Sequence, residues 1–236
     1  MILLLFSVVQ RAKCHEVADV GFIVDSSGSL RRDYSKEKDF VNLLAENLNI
    51  SRLGSHVSVV LFSYYAELKI KFSDYTNIAD FKSAVNALPL MKSTTRIDKA
   101  LKTAYNEMFN ERNGMRVRVP KVLVLLTDGQ QTKDPDAVAP SKVVQRFHDA
   151  GIKVVVVGIG RSVNPSELRT LVRADRDLYL AKNFDQLRSL DFVDSITGTT
   201  CLQTGKCDLL EVYCKNVWKH CNEMNTEKEW FHSGYD

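Results

Sequence analysis

Short apolar runs alternate along the middle of the chain with longer stretches in which apolar residues recur at helical spacing. Four runs rich in Val, Ile, Leu and Phe stand out: ADVGFIV, HVSVVLF, KVLVLLT and KVVVVGIG. Three of them are almost continuously apolar, as expected of strands that are buried on both faces. The pattern therefore predicts strands in the interior of a sheet.

The stretches between these runs predict amphipathic helices. Apolar residues recur three or four positions apart in YSKEKDFVNLLAENL, NIADFKSAVNAL and IDKALKTAYNEMF. SKVVQRFHDAG ends on Gly151, which suits a helix C-cap, and NPSELRTLV offers Asn164 as an N-cap with Pro165 in the first turn. DLYLAKNFDQLRSL predicts a last strand and a last helix.

This alternation of strands and helices predicts an α/β fold of the doubly wound, Rossmann-like kind. We expect a mostly parallel six-stranded sheet with helices on both faces. The stretch SHVSVVLFSYYAELKIKF differs, because two strand-like halves are joined by only a few residues around positions 64 to 67. It predicts a hairpin and therefore one antiparallel edge strand.

Composition narrows the class of protein. The chain has 236 residues, of which 44% are hydrophobic and 26% charged, and its net charge is only +3. These values are typical of a globular protein that can bury its own core. No dense block of Lys and Arg is present, so we expect no nucleic-acid partner.

The two ends of the chain differ from the middle. The apolar run from Ile2 to Val9 in MILLLFSVVQRAKC is too short to span a bilayer and predicts a signal peptide over residues 1–12, although no basic residue precedes it. A buried N-terminal strand is the alternative. No later stretch is apolar for long enough to predict a membrane span. We place a domain at residues 13–200 and a short Cys-rich C-terminal tail at residues 201–236.

Cysteine placement favours an oxidising compartment. None of the five cysteines lies between positions 14 and 201, which suggests one bond joining the ends of the domain and a separate group in the tail. The odd total leaves one cysteine free, paired to another chain, or without a partner from an incomplete sequence. CDLLEVYCKNVWKHC faintly resembles the opening of a ShK toxin-like cysteine module, which the tail would contain in truncated form.

Oxygen-bearing side chains gather where strands are predicted to end. The first strand ends in Asp25, followed by Ser27 and Ser29 at two-residue spacing, and KVLVLLTDG ends in Asp128. The loop LPLMKSTTRIDKAL adds a threonine just before a helix. Each piece alone is more typical of a turn. Together at the carboxyl edge of one sheet, they predict a site for a hard divalent cation, Mg²⁺, Mn²⁺ or Ca²⁺.

The combination of D-x-S-x-S, a threonine before a helix, and T-D-G resembles the von Willebrand factor type A domain, over residues 19 to 200. The resemblance is to extracellular matrix members, matrilin-like or collagen VI-like, and it implies an intact metal-ion-dependent adhesion site. Ser27, Ser29 and a threonine would bind the metal directly, and Asp25 and Asp128 directly or through water. STTRIDKAL fits the family best with Thr95 as the ligand.

The resemblance also bears on the choice of threonine ligand, on a disulfide and on the loop after Asp128. Thr94 is the alternative ligand, and Lys92 and Ser93 stand where the family usually has glycines. Extracellular members often join the ends of the domain, which implies a disulfide between Cys14 and Cys201, with two free thiols as the alternative. The loop GQQTKDPDAVAP after Asp128 is too short for the extra helix of collagen-binding integrin domains.

The expected function is therefore a secreted, extracellular matrix, adhesion or protein-binding module. An Asp or Glu of a matrix or cell-surface partner would complete the coordination of the cation. A structural matrix component, cross-linked into oligomers through the tail cysteines, is the first alternative. A Mg²⁺-dependent enzyme is a distant one, because we find no P-loop and no Asp-x-Asp pair at the end of the first strand. No G-x-S-x-G motif marks Ser27 as a hydrolase nucleophile either, and we expect no enzymatic activity.

Overall fold

A computed structural model describes residues 17–201, and its strands form one six-stranded sheet. The strands are β1 (Asp19–Asp25), β2 (His56–Phe62), β3 (Ala66–Ile70), β4 (Lys121–Thr127), β5 (Lys153–Ile159) and β6 (Leu178–Ala181). The helices are α1 (Tyr34–Glu46), α2 (Ile78–Asn86), α3 (Ile97–Thr103), α4 (Pro140–Asp149), α5 (Pro165–Arg169) and α6 (Leu190–Cys201).

The strand order is β3-β2-β1-β4-β5-β6, and only the β2–β3 pair is antiparallel. This confirms the predicted sheet, including its antiparallel edge strand. From β1 the chain adds β2 on one side and later β4 on the other. The carboxyl ends of β1 and β4 are therefore a topological switch point, where open α/β sheets place their ligands.

The central strands are apolar throughout because helices cover both faces of the sheet. All seven residues of β1 are buried, and so are all seven of β5. Phe22 and Val24 pack on the side of α1, α2 and α6, whereas Ile23 packs on the side of α3, α4 and α5. Successive side chains thus enter different cores, which explains why no polar alternation is visible in the sequence.

The third helix differs from its prediction. The apolar spacing of IDKALKTAYNEMF predicts one helix, but α3 ends at Thr103 and a wider π-helical turn covers Ala104–Met108. The amide of Phe109 donates to the carbonyl of Ala104, 3.0 Å away. Met108 lies against Gly21, where any Cβ would overlap its Sδ atom. The wider turn is thus accommodated by a glycine in β1.

The last helix lies further along the chain than predicted. Only a short 3₁₀ turn covers Gln186–Arg188, and α6 follows it. The side chain of Asn47 donates to Thr197 Oγ1 at 3.0 Å, so α6 is joined to the C-terminal end of α1. The predicted boundary between the domain and the tail, at residues 200 and 201, falls in the last turn of α6.

Several predictions concern residues outside the described range. The signal peptide, the tail and Cys14 lie there, and the side chain of Cys201 is not described either, so the disulfide stays a prediction. Between residues 17 and 201, no helix combines the length and apolar character that crossing a membrane requires.

Candidate metal centre at the carboxyl edge of the sheet

Asp25, the last residue of β1, is fully buried, and its carboxylate accepts hydrogen bonds from the segment after β1 and from the end of β4. Its Oδ1 accepts a hydrogen bond from the amide of Ser27 at 2.9 Å, and its Oδ2 accepts one from the hydroxyl of Thr127 at 2.8 Å. Thr127 ends β4. The carboxylate therefore has a fixed orientation, set by the segment after β1 and by the neighbouring strand.

Ser27, Ser29 and Asp128 form a continuous chain of oxygen atoms beside Asp25. The two serine hydroxyls are 2.9 Å apart, and Ser29 Oγ donates to Asp128 Oδ1 at 2.9 Å. The hydroxyls converge because Ser27 is extended and a 3₁₀ helix begins at Gly28. Gly28 is not among the glycines with positive φ, so this turn does not depend on a conformation reserved for glycine.

Thr95 lies next to the same group, whereas Thr94 is exposed. A Cβ built on Gly129 would lie 3.3 Å from Thr95 Oγ1, which places this hydroxyl beside the residue that follows Asp128. The Thr95 loop is also tied to the segment after β1, since the amide of Gly28 donates to Ser93 O at 2.9 Å. The structure thus brings Thr95 to the cluster predicted from sequence.

Lys92 occupies one of the positions where the family usually has glycine, and its φ is 61°. This left-handed conformation costs a non-glycine residue roughly 1 kcal/mol. Its amide donates to Ser26 O at 3.0 Å. The loop therefore keeps a conformation that suits glycine even though lysine occupies the position.

A third carboxylate, Glu37 of α1, lies beneath the site and was not predicted. It is fully buried, and its Oε1 accepts from the amide of Asp25 at 3.2 Å. Its Oε2 has no hydrogen-bond partner among the described residues. Its spacing from Tyr34, Phe40 and Val41 puts it on the inward face of α1, which is the only sequence signal that could have identified it.

Three acidic side chains lie close together at this edge of the sheet, and each of them has a raised pKa. Burial and repulsion from Asp128 raise the pKa of Asp25 to about 6, and burial raises the pKa of Asp128. Burial, then repulsion from Asp25 and Asp128, raises the pKa of Glu37 well above its ordinary value. None of the ion pairs between residues 17 and 201 involves any of these three carboxylates.

The donor atoms suit a hard divalent cation. Two carboxylates and the hydroxyls of Ser27, Ser29 and Thr95 are oxygen ligands of the kind that Mg²⁺ and Mn²⁺ take. Within the described part of the chain, no group of three His, Cys, Asp or Glu side chains is arranged to hold a metal. A cation here would therefore depend on hydroxyl and water ligands beside Asp25 and Asp128.

A buried ion-pair network holds the loop after β4 against the loop that carries Thr95. Arg96 is fully buried, and its Nε and Nη2 donate to Asp98 at 2.9 and 3.0 Å. Its Nη1 donates to Asp134 at 3.1 Å and Asp136 at 2.8 Å. Asp98 also accepts from the amide of Val138 at 3.2 Å. Both loops at the site are thus fixed to one guanidinium group.

The charge on Asp98 is stabilised by this network. Burial alone would raise the pKa of Asp98, but hydrogen bonds from Arg96 and Gln131 hold it well below its ordinary value. Gln131 Nε2 lies 2.7 Å from Asp98 Oδ1. Asp98 is therefore ionised at neutral pH and forms a permanent ion pair with Arg96.

Two tyrosines at the tip of the β2–β3 hairpin form an aromatic rim beside this network. The amide of Arg96 donates to Ser63 O at 2.9 Å, which joins the hairpin to the Thr95 loop. Lys99 Nζ lies 3.8 Å from the centre of the Tyr64 ring, and Tyr65 packs edge-on against Tyr64 at 4.9 Å. Tyr65 is 65% exposed. It offers an ordered, partly apolar surface close to the site.

The family model of the von Willebrand factor type A domain matches residues 19–192, which is 174 of the 236 residues. The chain belongs to this family. The match begins and ends inside the predicted domain, and it includes every residue of the candidate metal centre. The predicted family is confirmed; an intact metal-ion-dependent adhesion site remains a proposal.

Curated relatives of this chain include matrix and cell-adhesion proteins. The chain is 32% identical over 206 residues to matrilin-1 of Gallus gallus, covering 85% of this chain and 39% of that protein. It is 26% identical over 202 residues to cuticlin-6 of Caenorhabditis elegans, covering 85% of this chain and 34% of that protein. It is 26% identical over 206 residues to integrin alpha-M of Mus musculus, covering 82% and 17%. The chain thus spans well under half the length of these relatives.

Solved structures support the same fold. Proximal thread matrix protein 1 of the mussel byssus superposes with a TM-score of 0.75 at 22% identity, over 80% of this chain and 49% of that one. Another structure of that mussel protein, with a TM-score of 0.74, is described as having a zinc-occupied metal-ion-dependent adhesion site. In the present chain, residues 129 to 139, after β4, contain no helix, in agreement with the short loop read from the sequence.

Proposed function

We propose that this chain is a secreted adhesion or protein-binding module of the extracellular matrix that binds an acidic side chain of its partner through a divalent cation. Asp25, Ser27, Ser29, Thr95 and Asp128 hold the cation, which supplies a positive charge for the partner's Asp or Glu. The relatives among matrix and adhesion proteins support binding rather than catalysis. The partner is a matrix or cell-surface protein.

The observation that carries this proposal is the unbalanced charge at the site. Three buried carboxylates lie together, and no basic side chain from residues 17–201 forms an ion pair with them. A divalent cation would offset the repulsion that raises the pKa of Asp25. The bound cation would keep a coordination position open on the side of Ser29, which is exposed, and water or a partner carboxylate can occupy that position.

Replacing Thr95 by Ala tests the site against a neighbouring control. Thr95 is buried beside Gly129, whereas Thr94 is exposed. We expect Thr95→Ala to weaken Mn²⁺ and Mg²⁺ binding by about tenfold or more, because a ligand is lost, and Thr94→Ala to change it little. Isothermal titration calorimetry on the purified chain measures both affinities.

The same two variants test the adhesive role. Capture of proteins from an extracellular matrix extract should require Mg²⁺ or Mn²⁺, stop with EDTA, and be lost in Thr95→Ala but not in Thr94→Ala. Capture that continues in EDTA and in Thr95→Ala would favour the structural, cross-linked alternative. Equal metal affinities for the two variants would remove Thr95 from the site.

Tyr65 is expected to contribute to partner affinity without contributing to metal affinity. An exposed tyrosine on an ordered support adds contact area at little entropic cost. Tyr65→Ala should lower metal-dependent capture several-fold and leave Mn²⁺ affinity within about twofold. Leu53 is 87% exposed and precedes β2 at the opposite edge of the sheet, so Leu53→Ala is the matched control. Equal effects of both substitutions on capture would contradict the role of Tyr65.

A further inference from the structure

A second pocket lies at the amino edge of the sheet, opposite the candidate metal centre. It has a volume of about 210 Å³, the space of roughly seven water molecules. Its walls are the end of α4, the start of β5 and the segment before β6. The lining residues are His148, Gly151, Ile152, Lys153, Val154, Arg173, Ala174, Arg176 and Asp177.

Basic side chains dominate this lining, and one of them is already engaged. Lys153 Nζ lies 3.1 Å from Asp177 Oδ1 and donates to Thr199 O at 2.6 Å. The ammonium group is almost fully buried and balances the one carboxylate in the pocket wall. Lys153 and Asp177 therefore form a floor of opposite charges that adds no net charge to the pocket.

Two guanidinium groups of the lining have no carboxylate partner among residues 17–201. Arg173 Nη2 donates to the carbonyl of His148 at 2.8 Å, which uses one of its five N–H donors. Arg176 forms no ion pair within the described part of the chain, and both arginines are exposed at the pocket. The nearby Asp175 is occupied by Arg169. The pocket thus has an excess of about two positive charges.

We propose that this pocket binds a sulfate ester of an extracellular sulfated polysaccharide. Guanidinium groups donate pairs of parallel hydrogen bonds to tetrahedral oxyanions, and two of them supply enough donors for the three terminal oxygens of a sulfate ester. The ester carries one negative charge, so the second guanidinium charge is left to attract the neighbouring sulfates of a polyanionic chain. The volume admits a sulfate with the adjoining sugar atoms but not a large apolar ligand. Because Arg173 and Arg176 are exposed, a polymer can cross the surface while one sulfate occupies the pocket.

This binding is independent of the proposed metal-dependent function. Lys153 begins β5 at the amino edge, whereas Asp25 and Asp128 lie at the carboxyl ends of β1 and β4. A polysaccharide and an acidic protein partner would therefore contact opposite edges of the sheet. Heparin binding at the pocket should be unchanged by EDTA. A negative result for the pocket can therefore be distinguished from a negative result for the metal site.

Heparin is the probe, measured by surface plasmon resonance with the whole chain at about 0.15 M salt, where weak long-range attraction is screened. The double variant Arg173→Ala/Arg176→Ala should weaken heparin binding roughly tenfold or more, since two charge-assisted contacts are lost. Arg52→Ala/Arg118→Ala removes the same charge from exposed positions outside the pocket and should change binding less than threefold. Desulfated heparin should not bind.

Each remaining outcome decides the proposal. Equal losses in both double variants, or undiminished binding of desulfated heparin, would overturn it in favour of general charge attraction. Inorganic phosphate competing much better than sulfate would also overturn it, by pointing to a phosphorylated ligand. If the double alanine variant does not fold, Arg173→Lys/Arg176→Lys replaces it, because lysine keeps the charge but lacks the planar guanidinium group. A heparin affinity between that of the native sequence and the background measured with desulfated heparin supports the site. An affinity equal to that of the native sequence contradicts it.

Discussion

Asp25→Asn is expected to abolish metal binding and yet to raise the stability of the metal-free protein at pH 7. Asn keeps an oxygen that can accept from the amide of Ser27, and its amide can donate to the hydroxyl of Thr127. What is lost is a buried negative charge that burial and Asp128 disfavour. The pKa shift from 3.8 to about 6 corresponds to about 3 kcal/mol of unfolding free energy.

The pH dependence of this difference gives its sign. In the folded, metal-free protein, Asp25 takes up a proton at about pH 6, whereas in the unfolded chain it does so only near pH 3.8. The folded state therefore binds more protons in this window, and the stability of the native sequence increases as the pH falls from about 6 towards 4. The advantage of Asp25→Asn should be complete above pH 6 and disappear near pH 4.

Urea unfolding of both proteins in metal-free buffer, at intervals between pH 4 and pH 7.5, measures this difference. Glu37 is present in both proteins, so most of its own contribution cancels. A thermal melt with added Mg²⁺ supplies the second readout: the native sequence should gain stability with Mg²⁺ concentration, and Asp25→Asn should not. A difference that does not vary with pH, or a variant that still responds to Mg²⁺, would contradict the role of Asp25.

The sheet and most of the candidate metal centre could be predicted from sequence because both depend on local pattern. Buried parallel strands are visible in the sequence as continuous apolar runs, and the carboxyl ends of such strands lie at the same edge of the sheet. Asp25, Ser27 and Asp128 could therefore be placed together without coordinates. Thr95 needed the family resemblance as well, because two threonines stand side by side in a loop whose conformation the sequence does not specify.

Features that depend on contacts between distant segments could not be predicted. The sequence of α6, with its glycine and many β-branched residues, has weak helix propensity, and packing of Val193 and Ile196 against the core overrides it. Glu37 appears in the sequence only as a polar position on an apolar helix face. The partners of Arg96 include Asp134 and Asp136, 38 and 40 residues away, so nothing local indicates that this arginine is buried.

Arg96→Met should destabilise the protein by about 3 to 5 kcal/mol, the cost of leaving a buried carboxylate without its partner. Asp98 would keep Gln131 and the amide of Val138 but lose both hydrogen bonds from the guanidinium. Lys102 lies 3.7 Å from Asp98 and is 43% exposed, so it compensates only weakly. Lys102→Met is the control and should cost less than about 1 kcal/mol. Chemical denaturation at pH 7 measures all three proteins.

A paired substitution separates stability from positioning. Arg96→Met/Asp98→Leu removes both charges and should recover much of the lost stability, because a hydrophobic pair often replaces a buried ion pair without loss. It cannot restore the bonds to Asp134 and Asp136 that hold the loop after β4 beside Thr95. We therefore expect Mn²⁺ affinity to remain several-fold weaker than in the native sequence although the fold has recovered. Full recovery of Mn²⁺ affinity together with stability would show that the network supports the fold alone and does not position the metal ligands.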